Sequence, residues 1–109
     1  MKHSTKKATP AEVGRFEKLQ LLGCIACRML RVNGRSAEIH HLLSGNKRRG
    51  HEYTIPLCGY HHRGVTNLSK AQALDAYGPS LADGSKPFHE RFGSDEFLLD
   101  KTNELLRCL

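Results

Sequence analysis

Apolar residues recur at helical spacing from Val13 to Leu19, directly after a strong capping signal. Thr9 stands at the N-cap position of a capping box, with a proline at the first helical position and Glu12 at the third. Gly23 suits the end of the helix. The pattern therefore predicts a helix between Thr9 and Gly23.

The second half of the chain carries similar helix signals in three places. A capping motif that begins at Ser69 predicts a helix over residues 71–77, which ends at Gly78. Residues 87–92 predict one more short helix. Ser94 is placed to cap a final helix with several leucines.

The segment between these helical regions favours extended structure. Residues 29–32 and 37–43 are apolar enough for two short strands, and Asn33-Gly34 between them suits a tight hairpin turn. Residues 44–52 form a polar loop, and residues 53–57 an extended approach to a cysteine, after which helix is expected from about His61. The predicted order of helix, hairpin and further helices indicates an α+β fold.

Composition limits the size of that fold. With 109 residues the chain has room for one domain, predicted over residues 9–109 after a disordered basic arm at 1–8. Hydrophobic residues are 39% of the chain and aromatic residues only 6%. A core this thin is often reinforced by a metal or a disulfide.

The cysteines favour a metal over a disulfide. The sequence has no apolar run of membrane-spanning length and no signal-peptide pattern, so we expect a protein of the reducing cytoplasm. Cys24 and Cys27 form one Cys-x-x-Cys pair, and Cys58 and His61 form a Cys-x-x-His pair. Two such pairs complete a closed tetrahedral site, for which thiolates and imidazole favour Zn²⁺. The alternative is a redox-active first pair with Cys58 as a buried apolar residue; Cys108 has no local partner in either case.

Three further histidines remain near the predicted strand and the following helix. A structural zinc site needs none of His40, His41 and His62, whereas phosphodiester hydrolysis needs a base for water and a cation for developing charge. In a regular strand the first two would point to opposite faces. Both serve one site only if the strand twists or ends there, or if the phosphate lies between them. The alternative is a pair of solvated or hydrogen-bonded strand histidines.

The residues Glu38-Ile39-His40-His41-Leu42 and Ile55-Pro56-Leu57-Cys58-Gly59-Tyr60-His61-His62 resemble the His-Asn-His (HNH, or ββα-metal) nucleases. The resemblance implies a small treble-clef or ββα-metal core, a β-hairpin plus helix around a structural zinc with flanking N- and C-terminal helices. It implies His41 as general base and His40 and His62 as ligands of a catalytic Mg²⁺, Mn²⁺ or Zn²⁺. The central Asn of the family is not evident, and a further helical histidine of some members would fall near Thr66.

The stretches GHEYTIPLCGYHHRG and YGPSLADGSKPFHERFG are similar to a narrower family, the phage recombination-enhancement (Ref) nucleases. That resemblance implies a phage-encoded DNA endonuclease of the bacterial cytoplasm, which acts on single strands or recombination intermediates with the RecA filament of the host. Members can carry a long basic N-terminal region, which here is only about eight residues.

Two residues near the predicted site have alternative roles. His89, on the short helix at 87–92, is either a third ligand of the catalytic metal or a packing histidine with satisfied hydrogen bonds. Glu38 lies two residues from His40 on the same strand face, so it either orients an imidazole or is a plain exposed glutamate. His51 is expected to be a hydrogen-bonding residue of the loop.

Net charge favours nucleic acid as a partner without proving it. The chain has 17 Lys and Arg against 11 acidic residues, a formal charge of +6. Lys47, Arg48 and Arg49 form a basic triplet in the loop after the strand, and Arg63 follows the predicted helix ligand. They are candidate phosphate contacts or simply solvated side chains. Such contacts position a backbone, which predicts cleavage with little sequence preference.

The expected function is hydrolysis of DNA that leaves 5′-phosphate and 3′-hydroxyl ends. Two other functions stay open. One is a zinc-stabilised treble-clef module that binds nucleic acid without cutting it. The other is a RecA-docking module in which any catalysis is vestigial.

Overall fold

The computed structural model describes residues 7–32, 36–45 and 47–109. The helices are α1 (Pro10–Leu22), α2 (Ile25–Met29), α3 (Gly59–Arg63), α4 (Lys70–Tyr77), α5 (Ser85–Phe92) and α6 (Asp95–Leu106), with a 3₁₀ turn at Leu81–Asp83. The strands are β1 (Ala37–His41), β2 (Leu43–Ser44), β3 (Lys47–Arg48) and β4 (Thr54–Cys58). None of the helices in these described ranges is long and apolar enough to cross a membrane.

The predicted caps form as the sequence indicates. Thr9 closes a capping box with Glu12 at the start of α1, and Ser69 closes another with Gln72 at the start of α4. The side chain of Ser94 accepts a hydrogen bond from a backbone N–H of the first turn of α6. Each cap satisfies backbone donors that a helix leaves without an internal partner.

The strands of the described residues form two antiparallel pairs. β1 pairs with β4, with Ala37 opposite Cys58 and His41 opposite Thr54. β2 and β3 form a small ribbon, which begins at Leu43, the last residue of the predicted strand, and continues into the segment expected to be only loop. β1 ends at His41, two residues earlier than predicted, and Leu42 beyond it is fully buried. The α+β fold class, with a two-stranded hairpin and flanking helices, is confirmed.

The predicted strand at residues 29–32 is wrong. Met29 ends α2, because the Cys24 sulfur and carbonyl accept hydrogen bonds from Cys27 N and Arg28 N and wind this stretch into a helical turn. Arg31 then takes a positive φ of 60°, and Val32 N donates back to the Cys27 carbonyl. Local closure of the knuckle outweighs the strand propensity of the apolar residues. The hairpin partner of β1 is therefore β4, and the predicted Asn33-Gly34 turn lies outside the described residues.

A single apolar cluster joins the helices to the strands. β4 is buried along its whole length, and α5 and α6 contribute aromatic and aliphatic side chains to the same cluster. The largest side chains that are fully buried include Phe88, Phe92, Leu19, Ile25, Leu42, Ile55, Leu57 and Leu98. Arg15 of α1 adds a polar tie, since its guanidinium donates to Thr54 of β4 and to Asn103 of α6. The core thus holds both ends of β4, where the candidate site residues are concentrated.

Candidate zinc site and histidine cluster

Four ligand-type side chains meet in one buried group, made of Cys24, Cys27, Cys58 and His61. Each is at most 2% exposed, and their ligand atoms all lie within 4.8 Å of one another. Among the described residues, this is the only group of three or more His, Cys, Asp or Glu side chains that could hold a metal ion. The residue types are those of a structural zinc site.

Each ligand pair is formed by the first turn of a short helix. Cys24 is the N-cap of α2, and its sulfur accepts a hydrogen bond from Cys27 N at 3.4 Å. Cys58 is the N-cap of α3, and its sulfur accepts from His61 N at 3.5 Å. A two-residue gap in such a turn brings both side chains of a pair to the same side of the helix. The two helix starts face each other, so all four ligand atoms lie between them.

The distances in this group fit a tetrahedral Zn²⁺. For Zn–S near 2.3 Å and Zn–N near 2.05 Å, tetrahedral angles place two sulfurs about 3.8 Å apart and a sulfur and a nitrogen about 3.6 Å apart. The sulfurs of Cys27 and Cys58 are 3.8 Å apart. His61 Nδ1 lies 3.6, 3.6 and 3.3 Å from the sulfurs of Cys24, Cys27 and Cys58. The donor atoms therefore already have the spacing that the metal requires.

Hydrogen bonding also selects the ligating nitrogen of His61. Its Nε2 donates to the Tyr77 carbonyl at 2.8 Å, which leaves Nδ1 facing the sulfurs. Burial lowers the pKa of His61, but hydrogen bonds with Cys24, Cys58 and the Tyr77 carbonyl outweigh it and raise that pKa to about 9. Hydrogen bonds with the neighbouring cysteines, together with burial, also raise the pKa of Cys27 strongly. A cation bound between the sulfurs and Nδ1 would stabilise the thiolate form of the cysteines.

A second group of polar residues lies where α3 meets β1, and we call Glu38, His40, His62 and Arg63 the histidine cluster. The imidazole rings of His40 and His62 meet edge to face with their centres 5.0 Å apart. His62 Nδ1 donates to Glu38 Oε1 at 2.8 Å, and Arg63 Nε donates to the same oxygen at 2.9 Å. Since Glu38 and His40 are two apart on β1, their side chains share the strand face on which α3 lies.

Electrostatics set the protonation states of Glu38 and His40 in the cluster. The hydrogen bond from Arg63, supported by His62, lowers the pKa of Glu38 to about 2. Burial, followed by the nearby charge of His62, lowers the pKa of His40 to about 4. At neutral pH Glu38 is therefore a carboxylate and His40 a neutral imidazole, which is the form that ligates metals. With Nδ1 of His62 donating to Glu38, that ring could bind a ligand only through Nε2.

His41 lies against different neighbours from His40. Its Nε2 is 2.9 Å from Nδ1 of His51, and its ring meets the edges of His51 and of Phe16 on α1. Burial, followed by the charges of Arg48 and His51, lowers the pKa of His41 to about 4. The alternation of a regular strand thus gives the two adjacent histidines separate partners, although β1 ends at His41. Arg48 lies close enough to both imidazoles to lower the pKa of each.

His89, the other predicted ligand, is on α5 with both ring nitrogens near acceptors. Its Nδ1 donates to the Gly93 carbonyl at 2.8 Å, and its Nε2 lies 3.3 Å from Asp95 Oδ1. His89 is near enough to contribute to the lowered pKa of His40. In the described part of the chain it does not complete a three-ligand group with His40 and His62.

The predicted phosphate contacts divide into two kinds. Arg49 is paired with Glu96 and lies over the Tyr53 ring, 4.5 Å from its centre. Arg63 is engaged with Glu38 of the histidine cluster. Lys47 and Arg48 make up the exposed strand β3, two residues beyond the glycine that follows β2.

The proximity of His51 to His41 was not accessible from sequence. Residue 51 was expected to form hydrogen bonds within its loop, but nothing in the local pattern identified a partner ten positions away. That partner is set by the way the loop between β1 and β4 closes.

The fold and these two sites define a class of protein: a small α+β domain with a Cys₃His group suited to zinc and a separate cluster of histidines at the adjoining strand and helix. A family model described as "recombination enhancement, RecA-dependent nuclease" matches residues 8–107. Because the match spans nearly the whole sequence, the chain belongs to this family, and the resemblance inferred from its motifs is confirmed. Comparison with curated proteins gives no significant match.

Proposed function

We propose that this chain is a metal-dependent DNA endonuclease of the HNH type, with His41 as general base and His40 and His62 as ligands of the catalytic cation. The observation that carries the proposal is the meeting of the His40 and His62 rings, 5.0 Å apart, beside the carboxylate of Glu38. Two imidazoles that share a cation at about 2.1 Å from each nitrogen have ring centres roughly 5 Å apart. Membership of a family named for its nuclease supports the same function.

The residues divide the work of phosphodiester hydrolysis. Neutral His41 takes a proton from water as the water oxygen bonds to phosphorus and the bond from phosphorus to the 3′ oxygen breaks. The leaving oxygen gains a proton from solvent, which gives 5′-phosphate and 3′-hydroxyl ends. His40 and His62 would hold a Mg²⁺, Mn²⁺ or Zn²⁺ ion, which would supply positive charge for the negative charge that develops on the phosphate and the leaving oxygen. We propose that Arg48, whose charge acts on both imidazoles, contacts a phosphate that lies between them.

The proposed setting is a bacterial host cell in which the phage-encoded enzyme cuts single-stranded or recombining DNA with the RecA filament. The family description, which names recombination enhancement and RecA dependence, supports this setting. Lys47 and Arg48 on the exposed strand β3 are proposed to contact the DNA backbone. Arg49 and Arg63 are proposed to do so as well, by exchanging their carboxylate partners for phosphate.

The experiment compares zinc-loaded wild type with His41→Ala on supercoiled and single-stranded DNA, with Mg²⁺ or Mn²⁺, with and without RecA and ATP. A general base contributes about 10²–10⁴-fold, so His41→Ala should lower kcat by that factor while DNA affinity, zinc content and melting temperature stay unchanged. Equal cutting by His41→Ala would overturn its role as base. Cutting that is independent of RecA would remove the RecA step from the proposal.

One observation favours a second candidate, a zinc-stabilised module that binds DNA or docks on RecA without cutting. Among the described residues only the Cys₃His group gathers three or more ligand side chains, and His41 has different neighbours from His40 and His62. A module of this kind would bind DNA or the filament equally well with His41→Ala and would cut under none of the metal conditions.

A further inference from the structure

His51 is built into the surroundings of the proposed base. Its Nδ1 lies 2.9 Å from Nε2 of His41, a distance at which the two nitrogens share one hydrogen. The rings are edge to face, with centres 5.1 Å apart. Phe16 on α1 contacts both rings by their edges, with its centre 5.5 Å from that of His51 and 6.1 Å from that of His41. One aromatic side chain therefore holds both imidazoles.

The backbone at His51 is tied to the core as well. Thr54 Oγ1 donates to the His51 carbonyl at 2.8 Å, and the same oxygen accepts from Arg15 Nε at 2.9 Å. Arg15 also donates to the Thr54 carbonyl and to Asn103 of α6. A loop residue linked through Thr54 and Arg15 to α1, β4 and α6 presents its ring in a fixed direction. Such support is what a group needs if it is to orient another side chain.

The hydrogen between the two rings sets which nitrogen of His41 can act. If His41 Nε2 donates it, Nδ1 of His41 has a lone pair and can accept a proton from water. If His51 Nδ1 donates it, the proton of neutral His41 must be on Nδ1, and neither nitrogen of His41 is free to act as a base. Only the first arrangement leaves His41 with a nitrogen that can accept a proton from water.

We propose that His51 is a positioning residue that accepts a hydrogen bond from His41 Nε2 and so holds His41 with Nδ1 open to the attacking water. The inference rests on the proposed function of His41 as general base. After proton transfer the same hydrogen bond stabilises the His41 imidazolium, because neutral His51 Nδ1 stays an acceptor. The role parallels that of a group that orients a catalytic histidine without touching the substrate.

The test uses two substitutions that separate the hydrogen bond from packing. His51→Phe keeps a ring against Phe16 but has no acceptor, whereas His51→Asn puts an amide oxygen near the place of Nδ1. We expect His51→Phe to lower kcat about tenfold to a hundredfold, within the contribution of a general base, with DNA affinity and melting temperature unchanged. His51→Asn should restore most of the loss. Wild-type rates in His51→Phe, equal losses in both variants, or a matching loss of DNA affinity would each overturn the proposal.

A measurement without substrate tests the tautomer directly. In ¹⁵N NMR spectra of the zinc-loaded protein, His41 should show a protonated Nε2 and an unprotonated Nδ1, and His51→Phe should remove that preference. Protonated Nδ1 in wild type would refute the inference even if the enzyme is active. Failure of wild type to cut DNA, or full activity of His41→Ala, refutes the proposed function and this inference with it. A normal tautomer with wild-type activity in His51→Phe refutes the inference alone.

Discussion

Replacing one ligand of the Cys₃His group should unfold this protein. A structural zinc site contributes about 10–16 kcal/mol to folding in small metal domains, whereas a domain is stable overall by about 5–15 kcal/mol. Cys27 is 1% exposed, and its sulfur lies 3.8 Å from that of Cys58 and 3.6 Å from His61 Nδ1. Cys27→Ala removes a metal ligand and leaves the remaining donors buried without a full set of partners. The loss is therefore comparable with the whole stability of the domain.

The matched control is Cys108→Ala. Cys108 is exposed just beyond α6, and its thiol donates a weak hydrogen bond to the Glu104 carbonyl at 3.7 Å. Its removal should change the free energy of unfolding by no more than about 0.5 kcal/mol. Far-UV circular dichroism and zinc content are measured for both variants, and for wild type before and after a strong chelator.

We expect Cys27→Ala and chelated wild type to lose helical signal and zinc together, while Cys108→Ala keeps both. Restoring zinc to chelated wild type should restore the signal. If Cys27→Ala, or the stripped wild type, kept its circular dichroism spectrum and melting temperature, the metal would not be structural. The first cysteine pair would then have to be explained by redox chemistry.

Three more predictions concern the backbone, the histidine cluster and acid stability. Gly14 lies in the interior of α1, where an added Cβ would meet no atom within 4 Å, so Gly14→Ala should stabilise the protein by about 0.5–1 kcal/mol. Gly93 has a φ of 106°, and an added Cβ would lie 2.5 Å from a phenylalanine ring, so Gly93→Ala should destabilise the protein. Urea denaturation measures both changes. Glu38→Gln should weaken the affinity for the proposed catalytic metal about 10–100-fold relative to wild type, because Glu38 orients His62. A metal titration measures this affinity, with the exposed Glu104→Gln as the control. An unchanged affinity would count against Glu38 as the orienting group. Without added divalent cation, His40 protonates near pH 6.5 when unfolded and near 4 when folded, so the unfolded state binds more protons between these values. The free energy of unfolding should fall by at most about 3 kcal/mol as the pH drops through that window. Denaturation at each pH should show that it falls more steeply with decreasing pH in wild type than in His40→Gln. If His40 were solvated, the two proteins would show the same pH dependence.

The parts of the fold that sequence predicted are those with local physical causes. A capping box joins residues only three apart, so Thr9 with Glu12 and Ser69 with Gln72 can be identified without knowing the rest of the molecule. The same holds for the two ligand pairs, because a two-residue gap makes one turn. Their union into one Cys₃His group follows from the chemistry of zinc, which needs four donors.

The errors come from contacts between distant parts of the chain. Residues 29–32 have the composition of a strand, but hydrogen bonds to Cys24 and Cys27 determine their path. The partner of β1 is β4, which no local pattern could select over the nearer segment. The meeting of His51 with His41 depends on the closure of the intervening loop, and that closure depends on Arg15, far back on α1.

The helix α3 connects the two candidate sites, because it carries residues of both. Cys58 ends β4 and caps α3, so the metal group fixes the start of this helix. His61 and His62 are consecutive on it and therefore point about 100° apart, one toward the sulfurs and the other toward Glu38. A helix of five residues has little stability of its own, so its orientation comes from these contacts. The geometry of His62 against His40 thus depends on the Cys₃His group next to it, so loss of a metal from that group would disturb the proposed chemistry without any change at the DNA contacts.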